Sequence, residues 1–142
     1  MKNIKLMNKI AKEAYSGAER GVKVNTSFYG KRSDPDCRGS IEGIDAYNFT
    51  PSALILGLLK GICEELHQLY TVFPEKKSHA VASGGAVKKN PVFKNLIEDR
   101  FEMDVSLNRI TEEAATGAAL FSALAIGLLK YEEGFPEFIK YS

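Results

Sequence analysis

The residues of this chain best suited to chemistry lie in one run, from His79 to Leu96 (HAVASGGAVKKNPVFKNL). A short apolar segment, Ala80, Val81 and Ala82, ends in Ser83-Gly84-Gly85-Ala86, and Asn90-Pro91 then opens a helix. Asn is a strong N-cap residue, and Pro at the first helical position gives up only an N–H that has no intrahelical partner. Strand, glycine turn and helix in that order let a backbone come close to a nucleotide, because glycines remove Cβ and leave N–H groups pointing outward. Read by itself, the glycine pair serves a ligand loop or a plain tight turn, and a motif this short does not choose between them. Lys88 and Lys89 are open in the same way, as solvated charges beside the loop or as phosphate ligands.

Other chemistry-bearing residues read as structural. Asp34 and Asp36 sit in a Gly/Pro loop, where Asp shapes turns. Arg38 stands at a loop-to-strand junction and either braces the hairpin base or faces a cleft. His67 lies one residue off an apolar helical stripe and His79 precedes a strand, neither with a partner at ligand spacing. Cys37 and Cys63 have nothing nearby in sequence to lower a thiol pKa.

A chain of 142 residues fits one domain with a real core. Its net charge of +1 supplies no global field to recruit nucleic acid or an anionic membrane. The two cysteines have no metal-ligand spacing and form no disulfide framework, which fits a reducing, intracellular setting. The opening residues lack an apolar signal-peptide core, and no apolar run reaches membrane-spanning length. The expected location is cytoplasmic.

These residues need elements to hold them. Ile4 to Ala18 has helical spacing, with Ile10, Ala11, Ala14 and Tyr15 on one side and Gly17 or Gly21 as the stop. Val22 to Phe28 alternates as a half-buried strand does, Tyr29 to Arg38 is a polar loop, and Gly39 to Ile44 is a second short strand. Thr50-Pro51 caps a long helix whose stripe is Ile55, Leu58, Leu59, Ile62, Leu66 and Leu69. Ala53, Gly57 and Gly61 recur every fourth residue on that helix, a spacing that invites close approach by another backbone. After the helix from about Asn90 to Phe101 comes a strand near Met103 to Leu107. Thr111 then caps a last helix, with Glu112 and Glu113 favourably placed against its dipole. The small residues Ala114, Ala115, Gly117, Ala118 and Ala119 form a second close-packing face, and the tail from Tyr131 is an end segment. The order is that of an α/β domain, a mixed sheet of about four strands flanked by helices. Its small-residue faces predict partner surfaces and a possible homo-oligomer.

Three segments occur in register: RGSIEGI (Arg38 to Ile44), SGGAVKKNPVFK (Ser83 to Lys94) and EEAATGAAL (Glu112 to Leu120). Together they resemble the C-terminal half of the second domain of FGGY-family carbohydrate kinases, over roughly residues 9 to 130. The spacing from Ser83 through Asn90 to Phe101 is most similar to that of sedoheptulokinases.

The resemblance implies a ribonuclease-H-like, actin-like ATPase domain that is incomplete here. Residues 1–142 would be the C-terminal part of the nucleotide-binding domain, with the N-terminal sugar-binding domain absent. It implies ATP and Mg²⁺ as the complete enzyme's cofactors and γ-phosphoryl transfer to a ketose such as sedoheptulose. By the same match Gly84, Gly85 and Ala86 would line the ATP site, Val87, Lys88 and Lys89 would flank adenine or ribose, and the Glu112 to Ala119 helix would close the pocket. The family's Asp-x-Gly-x-Thr phosphate loop and its catalytic Asp have no counterpart in this sequence, so the chain alone is expected to be inactive. Its expected partners are ATP and a small sugar, with no nucleic acid and no membrane. The alternatives are a xylulokinase-type or other FGGY sugar kinase, a non-catalytic nucleotide-binding or scaffolding module of the same fold, and an actin- or chaperone-like ATPase.

Overall fold

The computed structural model describes residues 2–16 and 21–130. Its elements run α1 (Lys2–Ser16), β1 (Lys23–Asn25), β2 (Ser40–Glu42), α2 (Pro51–Tyr70), β3 (His79–Ala82), α3 (Gly85–Lys88), α4 (Pro91–Phe101), β4 (Asp104–Leu107) and α5 (Glu113–Ala125). The expected order is present, with one extra helical turn, α3, inside the glycine segment. Gly17 and Ala18, at the expected end of the first helix, and the tail from Tyr131 lie outside the described residues.

Local chemistry sets two helix starts. The Thr50 hydroxyl accepts from the Ala53 N–H at 3.1 Å, and Asn90 Oδ1 accepts from the Phe93 N–H at 3.2 Å. Each is followed by a proline that begins the helix. The expectation for Thr111 is corrected. Glu112 is the residue before α5, and its side chain makes no capping hydrogen bond. Asn108 Oδ1 takes the Ile110 N–H at 3.0 Å, turning the chain before Thr111 is reached.

The α/β class stands, but among the described residues the strands form two pairs rather than one mixed sheet. β1 pairs antiparallel with β2, and β3 pairs parallel with β4. Parallel strands need a crossover, which α3 and α4 supply. β1 is shorter than the alternation predicts because Asn25 Oδ1 takes the Ser27 N–H at 3.0 Å and bends the chain out of the ladder. β2 stops before Gly43, whose φ of 75° leaves the extended region.

Helix α2 lies between two apolar clusters. One joins Ala11, Leu56, Cys63, Val87, Val92, Phe93 and Leu96, flanked by Ile55, Leu59 and Ile62. The other is Val22, Val24 and Ala53 with Leu54 and Leu58. The expected stripe therefore holds only in its first half. Leu66 and Leu69 are 43% and 65% exposed, while Leu56 and Cys63, off the expected stripe, are buried. Burial pushes the Cys63 thiol up to about 11, so it stays protonated and inert at neutral pH.

The glycines of α2 do what their spacing predicts, within this chain. A Cβ on Gly57 would stand 2.7 Å from the Val22 carbonyl oxygen, and one on Gly61 would stand 2.2 Å from that of Val24. This face is covered by β1 and is not open to a partner. The α5 face differs: among the described residues nothing lies within 4 Å of the Gly117 Cβ position, and Ala114, Ala115, Ala118 and Ala119 are exposed.

The remaining polar residues behave structurally. Asp34 Oδ1 accepts from the N–H groups of Asp36 and Cys37, each at 3.2 Å. The Arg38 guanidinium donates to the carbonyls of Pro35 and Cys37 at 3.0 and 2.9 Å, bracing the loop. His67 packs edge-on against Phe101 with ring centroids 5.2 Å apart. His79 is the first residue of β3. No helix among the described residues is long and apolar enough to cross a membrane.

Candidate functional site

The candidate loop begins where β3 ends. Gly84 adopts φ 92° and ψ 156°, a combination open essentially to glycine alone. No described residue lies within 4 Å of its Cβ position, so conformation and not packing demands glycine there. That leaves the main chain bare on this side. Gly85 then starts the single turn of α3, closed by Lys89 N–H to Gly85 O at 3.1 Å and Asn90 N–H to Val87 O at 3.2 Å. Among the described residues its Cβ position meets only the Lys89 side chain, whose Nζ is 3.7 Å away.

The six expected site residues separate by direction. Ala86 is exposed beside Gly85. Val87 turns inward and is buried with Val92 and Phe93, so it anchors the loop and can offer a ligand only its backbone. Lys88 reaches across to α5. Its ammonium lies 2.5 Å from Glu113 Oε1 and also donates to the Ile110 carbonyl. Lys89 is exposed, and its carbonyl accepts from the Asn8 amide of α1.

Glu113, expected only as a dipole partner and as part of the helix closing the pocket, reaches the loop itself. Its Oε1 accepts from the Gly84 N–H at 3.3 Å as well as from Lys88. The Lys88 hydrogen bond, aided by the Gly84 N–H and the lysine charge, holds the Glu113 carboxyl below its ordinary value of 4.5 despite some desolvation. A depressed carboxylate pKa adds stability that is present above the ordinary value and is lost as pH falls through the lowered one. The Gly84 amide resonance is therefore expected to titrate with a midpoint below 4.5 in an NMR pH series. A midpoint at or above that value would break the link between carboxylate and loop. The only signal in the sequence is a lysine just after the glycines and an acid at the start of a later helix.

On its other side the loop borders a cleft of about 380 Å³. Ile55, Leu59 and Ile62 of α2 and Phe93 of α4 make it apolar, and Gly85, Ala86, Lys89 and Asn90 form its edge with Asn8. Ligand pockets of this kind are mostly apolar with a few placed polar groups. The arrangement can hold a flat apolar ring against bare backbone. Among the described residues no group of three His, Cys, Asp or Glu side chains is placed to hold a metal ion.

A family model described as the FGGY family of carbohydrate kinases, C-terminal domain, matches residues 2–126. No curated protein matches the chain. A xylulose kinase from Lactobacillus acidophilus superposes with a TM-score of 0.75 at 19% identity, over 96% of this chain and 28% of that one. A gluconate kinase from the same organism gives 0.76 at 20% identity, again over 96% and 28%. Plasmodium falciparum glycerol kinase with ADP gives 0.72 at 22% identity, over 89% of this chain and 26% of that one. This chain thus spans little more than a quarter of the length of these solved proteins, and at such identities the likeness is one of fold, the actin-like ATPase fold of these kinases. With most of its length matched by the family model, the chain belongs to the FGGY family of carbohydrate kinases, as part of their C-terminal domain.

Proposed function

We propose that this chain forms one wall of the ATP site of a sugar kinase that transfers the γ-phosphoryl of MgATP to a hydroxyl of a small ketose. The observation that carries the reading is the Gly84–Gly85 loop, bare on one side and bordered on the other by an apolar cleft, inside a chain that matches the kinase C-terminal domain. The nucleoside lies along the backbone of Gly84, Gly85 and Ala86, with Val87 fixing the loop from beneath and Lys88 and Lys89 flanking it. In phosphoryl transfer most of the catalysis is positioning and electrostatic stabilisation, and the wall proposed here contributes positioning. On this reading Mg²⁺, the contacts to the terminal phosphates and the base that takes the hydroxyl proton belong to residues beyond those present here. Sedoheptulose is the ketose proposed from the loop spacing. Xylulose is the alternative, since some of the superposing proteins are xylulose kinases.

Titration of the ¹⁵N-labelled chain with ATP tests this. Saturable shifts at Gly84, Gly85 and Ala86 are expected with an affinity on the order of 1 mM, worth about 4 kcal/mol. Shifts confined to β1, β2 or α1, or none, would overturn the reading. A coupled ADP-release assay with a panel of ketoses is expected to show no turnover by this chain alone. Sugar-dependent turnover would mean that the chain carries the missing chemistry itself.

A further inference from the structure

A glycine turn with a bare N–H and a lysine four residues on is ordinarily the chemistry of a phosphate site. Here both groups are already taken. One oxygen of Glu113 accepts from the Gly84 N–H at 3.3 Å and lies 2.5 Å from the Lys88 ammonium. Lys88 also donates to the Ile110 carbonyl, so its charge is held by two acceptors. The pair is largely shielded, with side chains 21% and 26% exposed, so solvent screens it less than a surface ion pair.

We propose that Glu113 is a built-in counter-anion that decides which end of the nucleotide this loop receives, by saturating Gly84 and Lys88 so that the loop takes the uncharged nucleoside and turns the phosphates away. The proposal rests on the reading of the loop as the nucleotide wall. A phosphate approaching Gly84 meets a carboxylate first, and displacing that carboxylate would strip Lys88 and Gly84 of their partner. An adenine or ribose carries no charge and meets no such opposition. Lys89, beside the cleft on the Gly85 side, is common to every variant below and cancels in the comparison.

The test compares adenosine with ATP, each titrated into the labelled chain and followed at the Gly84, Gly85 and Ala86 amides. The parent protein is expected to bind the two within about threefold of each other. Glu113→Gln keeps an oxygen for the Gly84 N–H but releases the Lys88 charge. It should tighten ATP about tenfold relative to adenosine at low salt, an advantage that fades as salt is added. Adding Lys88→Met to Glu113→Gln should return the ratio to the parent value. Lys88→Met alone, which leaves the Glu113 charge unpaired, should weaken ATP relative to adenosine. If Glu113→Gln does not fold, this last variant decides, and an unchanged ratio in it sinks the proposal. If adenosine binds at the loop and no variant changes the ratio, the role of Glu113 falls while the nucleotide wall stands. If neither ligand moves these amides in any variant, the wall and the proposal fall together.

Discussion

Replacing Gly61 by valine is expected to destabilise the chain by roughly 3 kcal/mol, the upper end of what overpacking costs. A Cβ at this position would stand 2.2 Å from the Val24 carbonyl oxygen and 3.2 Å from the Thr26 methyl. The obstacle at 2.2 Å is backbone, so no side-chain rotation relieves it. The strand β1 must lift off α2, opening the contact between Val24 and Ala53 that fills the smaller cluster. Helix propensity favours valine over glycine by only about 0.3 kcal/mol, too little to offset the clash. The matched control is Gly117→Ala on α5. No described residue lies within 4 Å of that Cβ position, so the substitution should stabilise the chain by about 0.5–1 kcal/mol through helix propensity alone. Urea denaturation checks both, with opposite shifts in midpoint at unchanged slope. A Gly61→Val midpoint equal to the parent's would mean that β1 does not lie on α2 at this distance.

The contrast between these two glycines shows what can be read from the sequence. Four-residue spacing in Ala53, Gly57 and Gly61 announces that a backbone comes close, because nothing else accounts for glycine twice on one helical face. It does not say whose backbone, and here it is β1 of the same chain. The small residues of α5 carry the same signature, yet no neighbour within the described residues fills the Gly117 position. Caps are legible wherever the capping bond is local, as at Thr50 and Asn90. They are not legible at Thr111, where the turn is made by Asn108 and the start of α5 is tied to a lysine 25 residues earlier. Periodicity places Leu66 and Leu69 in the stripe because it knows the angle of a residue on its helix and not where the neighbours end. The same limit hides the sheet, since pairing β1 with β2 and β3 with β4 is settled by contacts between distant residues. Of the site, the glycine loop is visible in the sequence. The carboxylate that occupies it and the cleft at its edge are not, because each is assembled from separate elements.

Gly85→Val is expected to weaken nucleotide binding by tenfold or more, on the order of 1.4 kcal/mol at least, while changing the melting temperature little. The structure separates the two glycines of the loop for this purpose. Gly84 needs its positive φ, so any side chain there introduces strain of roughly 1–3 kcal/mol and confounds binding with folding. Gly85 has no positive φ, begins a helical turn, and among the described residues meets only the tip of Lys89 at 3.7 Å. Valine fits there, since helix propensity favours it over glycine by about 0.3 kcal/mol, yet it would stand between a ligand in the cleft and the backbone at its edge. In a complete kinase the same change should raise KM for ATP more than it lowers kcat, because the valine obstructs ground-state binding and leaves the reacting groups untouched. Thr50→Ala is the control for stability. It removes the cap of α2, for about 0.5–2 kcal/mol, at a residue that does not line the cleft. Asn90→Ala would be a poorer control, since Asn90 caps α4 and also stands at the edge of the cleft. Thermal melts and adenosine titrations on both variants should therefore dissociate, with Gly85→Val losing affinity and Thr50→Ala losing stability. If Gly85→Val binds adenosine as the parent does, the ligand does not approach the backbone at this point, and the loop is a turn whose glycines serve the chain alone.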